Sequence, residues 1–169
     1  MSNAAKKYCL DANMLIQAWN FYYSPKFCPS YWDVLNNLGS AGTIFIPYMV
    51  YEEITRTDYD LCKWLKKSSI AIKDVDEKVI QCLQMIWASN PIHKTLVDNV
   101  KGRSLADPWV IAHAMRENAT VVTKEEKVTA LNASRIKIPN VCENMGVEWM
   151  NDFGMIEEIG IDFQCRLAI

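Results

Sequence analysis

The sequence predicts an α/β protein: a three-layer α/β/α sandwich around a central, mostly parallel sheet of four to five short strands. Three observations predict it. Short apolar runs, the middle three rich in β-branched residues, recur at 7–10, 43–46, 70–72, 120–123 and 147–150. The segments between them carry apolar residues at helical spacing. Such alternation favours parallel strands joined by right-handed crossovers, with helices covering both faces.

Lys7-Tyr8-Cys9-Leu10 reads as the first strand, followed by Asp11-Ala12-Asn13 and then Met14, Leu15, Ala18 and Tyr22 at helical spacing. Pro25, Pro29 and the aromatics Tyr22, Tyr23, Phe27, Tyr31 and Trp32 make a stiff connection. Ser30 and Asp33 are spaced as a capping box opening a short helix that stops at Gly39. Thr43-Ile44-Phe45-Ile46 is the second strand, and Pro47 suits the first turn of a helix carrying Glu52 and Glu53. Leu61, Trp64 and Leu65 give an amphipathic helix whose other face, Lys63, Lys66 and Lys67, reads as solvated. Ile70-Ala71-Ile72 is a short strand, and Val75, Val79, Leu83, Ile86 and Trp87 mark a long helix ended by Asn90-Pro91. The polar stretch up to Ser104 has weak periodicity and reads as a mobile loop. Asp107-Pro108 starts a helix with Val110, Ile111, Ala114 and Met115 inward. Thr120-Val121-Val122-Thr123 then ends in Lys124-Glu125-Glu126. Val147 to Met150 is a last strand and Asp152 to Glu158 a last helix.

A length of 169 residues suits one domain, 1–169, in which Met1-Ser2-Asn3-Ala4 reads as a tag remnant and residues 1–5 as extraneous or disordered. Half the residues are hydrophobic and 22% charged, which excludes wholesale disorder. No apolar run approaches the roughly 18 residues that a membrane span needs, and no signal peptide opens the chain, so a cytoplasmic protein is expected. Six cysteines stand singly at 9, 28, 62, 82, 142 and 165, without a Cys-x-x-Cys pair or a histidine at zinc-ligand spacing. They read as small apolar residues of a reducing compartment. A net charge of −2 excludes global attraction to polyanions, so any nucleic-acid contact needs a local basic patch or a bound cation.

In an open parallel sheet the functional crevice lies beyond the carboxyl ends of the strands, where chain order reverses. Four acids fall there. Asp11 follows the first strand, Glu53 lies about two helical turns after the second, Asp107 begins the helix leading into the fourth, and Glu125 sits just past that strand. Singly, Asp11 and Asp107 are each equally well read as helix caps and Glu53 as a solvated charge. Together they would repel one another unless a cation sat between them, and hard oxygen ligands suit Mg²⁺ or Mn²⁺. Glu52 competes with Glu53, which is favoured because it stands four residues after Met49 on the inward face.

The segments Tyr8-Cys9-Leu10-Asp11-Ala12-Asn13-Met14-Leu15-Ile16, Val50-Tyr51-Glu52-Glu53-Ile54, Leu105-Ala106-Asp107-Pro108-Trp109-Val110-Ile111-Ala112 and Val121-Val122-Thr123-Lys124-Glu125 resemble, in order and spacing, the PIN-domain nucleases. The stretches Tyr23-Ser24-Pro25-Lys26-Phe27 and Lys137-Ile138-Pro139-Asn140-Val141-Cys142 look like a poorly characterised prokaryotic PIN-like subgroup related to VapC-type toxins. By this resemblance Asp11, Glu53, Asp107 and Glu125 match the metal-binding acids, and Asn13 and Thr123 match polar positions that support them. The fourth acid is usually Asp, so Glu125 departs from the pattern, and Glu126 beside it could substitute. The resemblance implies a Mg²⁺- or Mn²⁺-dependent endoribonuclease using one or two ions, an RNA substrate, a small antitoxin protein that occludes the pocket, and a homodimer.

Lys101, Arg103 and Lys124 are candidates for meeting a phosphate backbone. Tyr22, Tyr23 and Trp109 could stack on bases, although core packing is the commoner use of each. His93 and His113 fit no ligand or triad spacing. Two other classes stay open: a PIN-like protein- or RNA-binding module without catalysis, for which Glu125 leaves room, and an aspartyl-phosphate phosphohydrolase. The latter wants a second Asp at 13, where this chain has Asn13.

Overall fold

The strands β1 (Tyr8–Leu10), β2 (Ile44–Pro47), β3 (Ala71–Lys73), β4 (Thr120–Val122) and β5 (Trp149–Met150) form one parallel sheet in the order β3-β2-β1-β4-β5. The computed structural model describes residues 5–168, so the tag reading of Met1–Ala4 lies outside it. Register is set by pairs such as Cys9 with Phe45, Leu10 with Val122, Phe45 with Ala71 and Val121 with Trp149. The three central strands β1, β2 and β4 are buried at every residue, as their continuous apolar runs require of a sheet covered on both faces.

The helices are α1 (Ala12–Gln17), continued by a π-helical turn (Ala18–Tyr22), α2 (Pro29–Ser40), α3 (Tyr48–Thr57), α4 (Tyr59–Lys67), α5 (Glu77–Ser89), α6 (Asp107–Glu117), α7 (Ile138–Met145) and α8 (Asp152–Ile159). Right-handed crossovers send α1–α4 to one face of the sheet and α5–α7 to the other, which gives the expected three layers. Helix α6 packs on α5 and lies across β1, β2 and β4. Among the described residues no helix is long and apolar enough to cross a membrane. All six cysteines are free; Cys9, Cys62 and Cys142 are buried, whereas Cys165 is exposed.

Four local expectations change. The capping box does not form: Pro29 opens α2 with no side-chain cap, because proline at the first turn has no amide to satisfy and Ser30 already lies inside the helix. Gly39 does not stop α2 either. It sits inside the last turn, where an added Cβ would lie 2.7 Å from the Ile70 nitrogen, and the left-handed turn falls at Gly42 (φ 72°). Gly39→Ala is therefore expected to cost about 1–3 kcal/mol from overpacking against backbone that cannot rotate away, read as a lower urea midpoint at constant slope. An unchanged midpoint would remove that contact from the account.

The stretch read as a mobile loop begins with a 3₁₀ helix (Pro91–Leu96) whose His93 and Leu96 are buried. The His93 ring donates from Nδ1 to the Ile86 carbonyl (2.8 Å) and accepts at Nε2 from Asn144 Nδ2 (3.0 Å), so it closes the end of α5. A paired turn, Asp98 to Arg103, follows. Helix α7 is the fourth change. Its spacing of Ile138, Val141, Cys142 and Met145 is amphipathic but spans only two turns.

The aromatic connection packs inward. Trp19, Trp32 and Trp64 meet edge-on, with Trp32 4.7 Å from Trp19 and 4.9 Å from Trp64, and Trp32 Nε1 donates to the Tyr23 carbonyl. The Tyr23 ring lies 4.4 Å from Tyr31 and 5.1 Å from Phe163. Tyr23 thus serves packing, as core use predicts.

Candidate active site

The chain leaves β1 toward β2 and returns on the other side of β1 with β4, so the sheet's crevice opens at the carboxyl ends of β1 and β4. Asp11 stands there as the extended residue between β1 and α1. Its amide donates to the Val122 carbonyl (2.9 Å), which ties it to β4. Its carboxylate accepts from the Ala12 amide at Oδ1 and from the Thr123 hydroxyl at Oδ2, both at 2.8 Å. The cap reading of Asp11 was therefore correct, and its second oxygen does something a cap does not need.

Thr123 is fully buried and uses its hydroxyl completely. It donates to Asp11, and it accepts from the Glu125 amide (3.1 Å) and from Asn13 Nδ2 (3.4 Å). Asn13 Oδ1 accepts in turn from the Lys124 amide (2.9 Å). Asn13 and Thr123 thus hold the residues after β4 against Asp11. Thr123→Val is expected to cost about 1–3 kcal/mol, because Asp11 Oδ2 loses its buried donor, whereas Thr123→Ser should retain most of the stability in denaturant titration.

Asp107 opens α6 at 8% exposure; its side chain makes no capping bond, although it stands in the first turn at the positive end of the helix as the cap reading expects. Glu53, on α3, and Glu125 are half-buried. Glu125 Oε2 accepts from the Ile138 amide (2.9 Å), which sets its carboxylate at the positive end of α7.

The four acids share one field. Burial pushes the Asp11 carboxyl up to about 7; the Thr123 bond opposes the rise, and Glu125 and Glu53 add to it. Burial, then Asp11 and Glu125, push Asp107 up to about 9, with the neighbouring Ser104 hydroxyl opposing. Burial and Glu125 raise Glu53, offset by Arg56. Among the described residues no cationic side chain forms an ion pair with Asp11 or Asp107, the situation that a bound cation resolves.

The donor set, four carboxylates and no sulfur or imidazole, fits a hard divalent ion. Among the described residues no three such side chains stand close enough together to enclose one by themselves.

The alternative acids lie outside this field. Glu52 is engaged on the surface by the Tyr48 hydroxyl (2.9 Å) and Arg56 (3.5 Å), and Glu126 is exposed. Among the basic candidates, Arg103 lines a cavity of about 450 Å³ with Glu52, Glu53, Arg56 and Ser104. Lys101 is exposed in the adjoining turn. Lys124 is corrected: its ammonium lies 2.6 Å from the buried Asp152 and over the Tyr22 and Phe153 rings, so it is committed inside the protein and not offered to a phosphate.

Sequence reasoning missed Ser104, Arg135, Lys137 and Asp152. Ser104 lies between the Arg103 cavity and a second of about 220 Å³ that Asp107, Glu125, Arg135 and Lys137 line. Its left-handed backbone (φ 59°) is a local strain, and its three-residue spacing before Asp107 was the available signal. Arg135 is tied to Asp98 and to the Thr95 and Leu96 carbonyls, while Lys137 stands exposed on the rim. Asp152 was visible as an acid just past the last strand. A larger cavity, about 690 Å³, lies at the amino ends of the strands, where Lys6–Glu148 and Lys7–Glu117 already pair.

The family model described as "Domain of unknown function (DUF4411)" matches residues 8–163. No curated protein matches the chain. Among solved structures, a chain of VapBC2 from Rickettsia felis, bound to a DNA fragment from their promoter, aligns at a TM-score of 0.55 and 20% identity over 85% of this chain and 97% of that one. A chain of FitAcB from Neisseria gonorrhoeae aligns at 0.54 and 14% identity, over 86% and 98%. At these identities the fold is what is shared, a VapC-like PIN fold, as the sequence resemblance implies.

Proposed function

We propose that this chain, which belongs to the family described as a domain of unknown function (DUF4411), is a metal-dependent endoribonuclease that hydrolyses RNA phosphodiester bonds. What supports the proposal is that the carboxyls of Asp11, Glu53 and Asp107 at the switch point of the sheet are all raised, each with the charge of Glu125 among the causes, and that of the three only Glu53 is offset by a cation, Arg56. Asp11, Glu53, Asp107 and Glu125 would hold Mg²⁺ or Mn²⁺, with one or two ions engaged. A bound ion would polarise a phosphoryl oxygen and acidify the attacking water.

The chain's own residues do the rest. Thr123 and the Ala12 amide fix both oxygens of Asp11, so its orientation is set before substrate arrives. Glu125 or Glu53 would take the one proton that the attacking water gives up and return a proton to the leaving oxygen as its bond to phosphorus breaks, and Arg103, Lys101 and Lys137 are suited to the flanking phosphates. Purified chain is expected to cleave RNA with Mn²⁺, to stop on chelation and to stop in Asp11→Asn; wild-type-like cleavage by that variant would sink the assignment.

The PIN-like fold is also the basis for proposing a toxin's role, with a small antitoxin covering the acidic pocket and a homodimer as the working unit. One observation favours a second reading, a binding module without catalysis: Glu125 already spends an oxygen on the Ile138 amide. Titration calorimetry with Mn²⁺ separates the two, since the module would give no binding heat.

A further inference from the structure

A fifth acid stands at the same sheet edge, and it is neutralised differently. Asp152, just past β5, is fully buried, and its ion-pair partner Lys124 has a side chain only 10% exposed, with 2.6 Å between Nζ and Oδ1. The Lys124 ammonium also lies 4.3 Å from the Tyr22 ring centre and 4.0 Å from that of Phe153, two rings that meet edge-on at 6.0 Å. Neither Asp152 oxygen makes a hydrogen bond among the described residues, so the close ion pair with Lys124 is what compensates the carboxylate. Breaking such a pair from one side leaves an uncompensated buried charge.

What the pair holds is the site. Lys124 is the residue between Thr123 and Glu125, and its amide is bonded to Asn13. The Thr123 amide is bonded to the Met150 carbonyl, two residues before Asp152. Tyr22 ends the helical segment that Asp11 begins, Lys124 follows β4, and Asp152 with Phe153 opens α8. The ion pair therefore joins three chain segments around the residue that separates the Asp11 donor from the fourth acid.

We propose that the Lys124–Asp152 pair beneath Tyr22 and Phe153 is a positioning clamp, which fixes Thr123 and Glu125 against Asp11 so that Glu125 reaches the shared ion. The proposal rests on the reading of the four acids as metal-holding. Lys124 and Asp152 are positioning residues and touch no substrate.

The test is amide hydrogen exchange and Mn²⁺ calorimetry on the full chain carrying Asp152→Asn. The double variant Lys124→Met with Asp152→Asn, which leaves no uncompensated charge, serves where the single variant does not fold. Exchange at the Lys124 and Glu125 amides is expected to accelerate about tenfold or more relative to the Phe45 and Ile46 amides of β2. Mn²⁺ affinity is expected to fall about tenfold, the usual effect of losing an outer partner of a metal site, and Lys124→Arg should recover much of both. Wild-type protection at both amides in a folded variant overturns the clamp, and so does lost protection with undiminished Mn²⁺ affinity. A wild-type chain that binds no Mn²⁺ at all overturns the metal reading instead, and amide exchange then still decides whether the pair holds the segment after β4.

Discussion

Asp107→Asn is expected to reduce Mn²⁺-dependent RNA cleavage about a thousandfold or more and, in the metal-free protein near pH 8, to raise the melting temperature. The two effects have one origin. Asp107 is buried beside Asp11 and Glu125, forms no ion pair with a cationic side chain among the described residues, and its carboxyl is pushed up to about 9. In the absence of a cation, ionising it works against the fold, and an amide of the same shape removes that cost. In the loaded enzyme the same charge holds the ion, and losing about 4 kcal/mol of transition-state stabilisation corresponds to about a thousandfold in rate. A structural acid behaves otherwise: its replacement would lower stability and leave cleavage proportional to the folded fraction. Cleavage assays paired with thermal melts with and without Mn²⁺ separate the cases. A variant with full activity, or one less stable than wild type at pH 8 without metal, counts against the assigned role.

The acids were legible because each is fixed by a local feature. Asp11 and Glu125 lie within three residues of apolar strands, and Asp107 adjoins a proline that opens a helix, so strand ends alone bring them to one edge. Glu53 followed from the inward face of its helix. The choice of Glu53 over Glu52 rests in the fold on Tyr48 and Arg56, which draw Glu52 to the surface. The fate of Lys124 could not be read locally: its partner is 28 positions on in sequence and is brought near only by the pairing of Val122 with Met150. Gly39 reads in sequence as a helix stop, and only the approach of the Ile70 backbone reveals the steric need. The site's polar framework, Thr123 bonded at once to Asp11, Glu125 and Asn13, is likewise a product of strand order, since β1 and β4 are neighbours only after the chain has crossed the sheet.

The metal-free chain should lose stability as pH rises from 7 to 8.5, and Mn²⁺ should abolish most of that loss. The sign follows from which state holds the proton. Asp11, Asp107 and Glu53 all have folded carboxyls raised above their ordinary values, Asp11 to about 7 and Asp107 to about 9. Below the ordinary carboxylate range both states are protonated and the contribution is fully present. Above it the unfolded chain has released its protons while the folded site retains them, so stability falls with pH until the folded groups ionise. Each pH unit over which one proton separates the states is worth about 1.4 kcal/mol, and near pH 8 Asp107 supplies that proton. For a chain of this size that corresponds to about 3–5 °C in melting temperature per unit. His113, whose pKa burial lowers, contributes little above pH 7, whereas the buried thiols of Cys9 and Cys142, raised in the fold, add a loss of the same sign as the unfolded thiols begin to ionise, so the difference between wild type and Asp107→Asn isolates the carboxyl. A divalent ion replaces the proton as the neutralising charge, so melts with Mn²⁺ should become nearly flat and the stabilisation by Mn²⁺ should grow with pH. Asp107→Asn should make the metal-free profile shallower on its own. A metal-free profile that rises between pH 7 and 8.5, or one that Asp107→Asn leaves unchanged, would mean that these carboxyls are not the strained charges at the centre of the site.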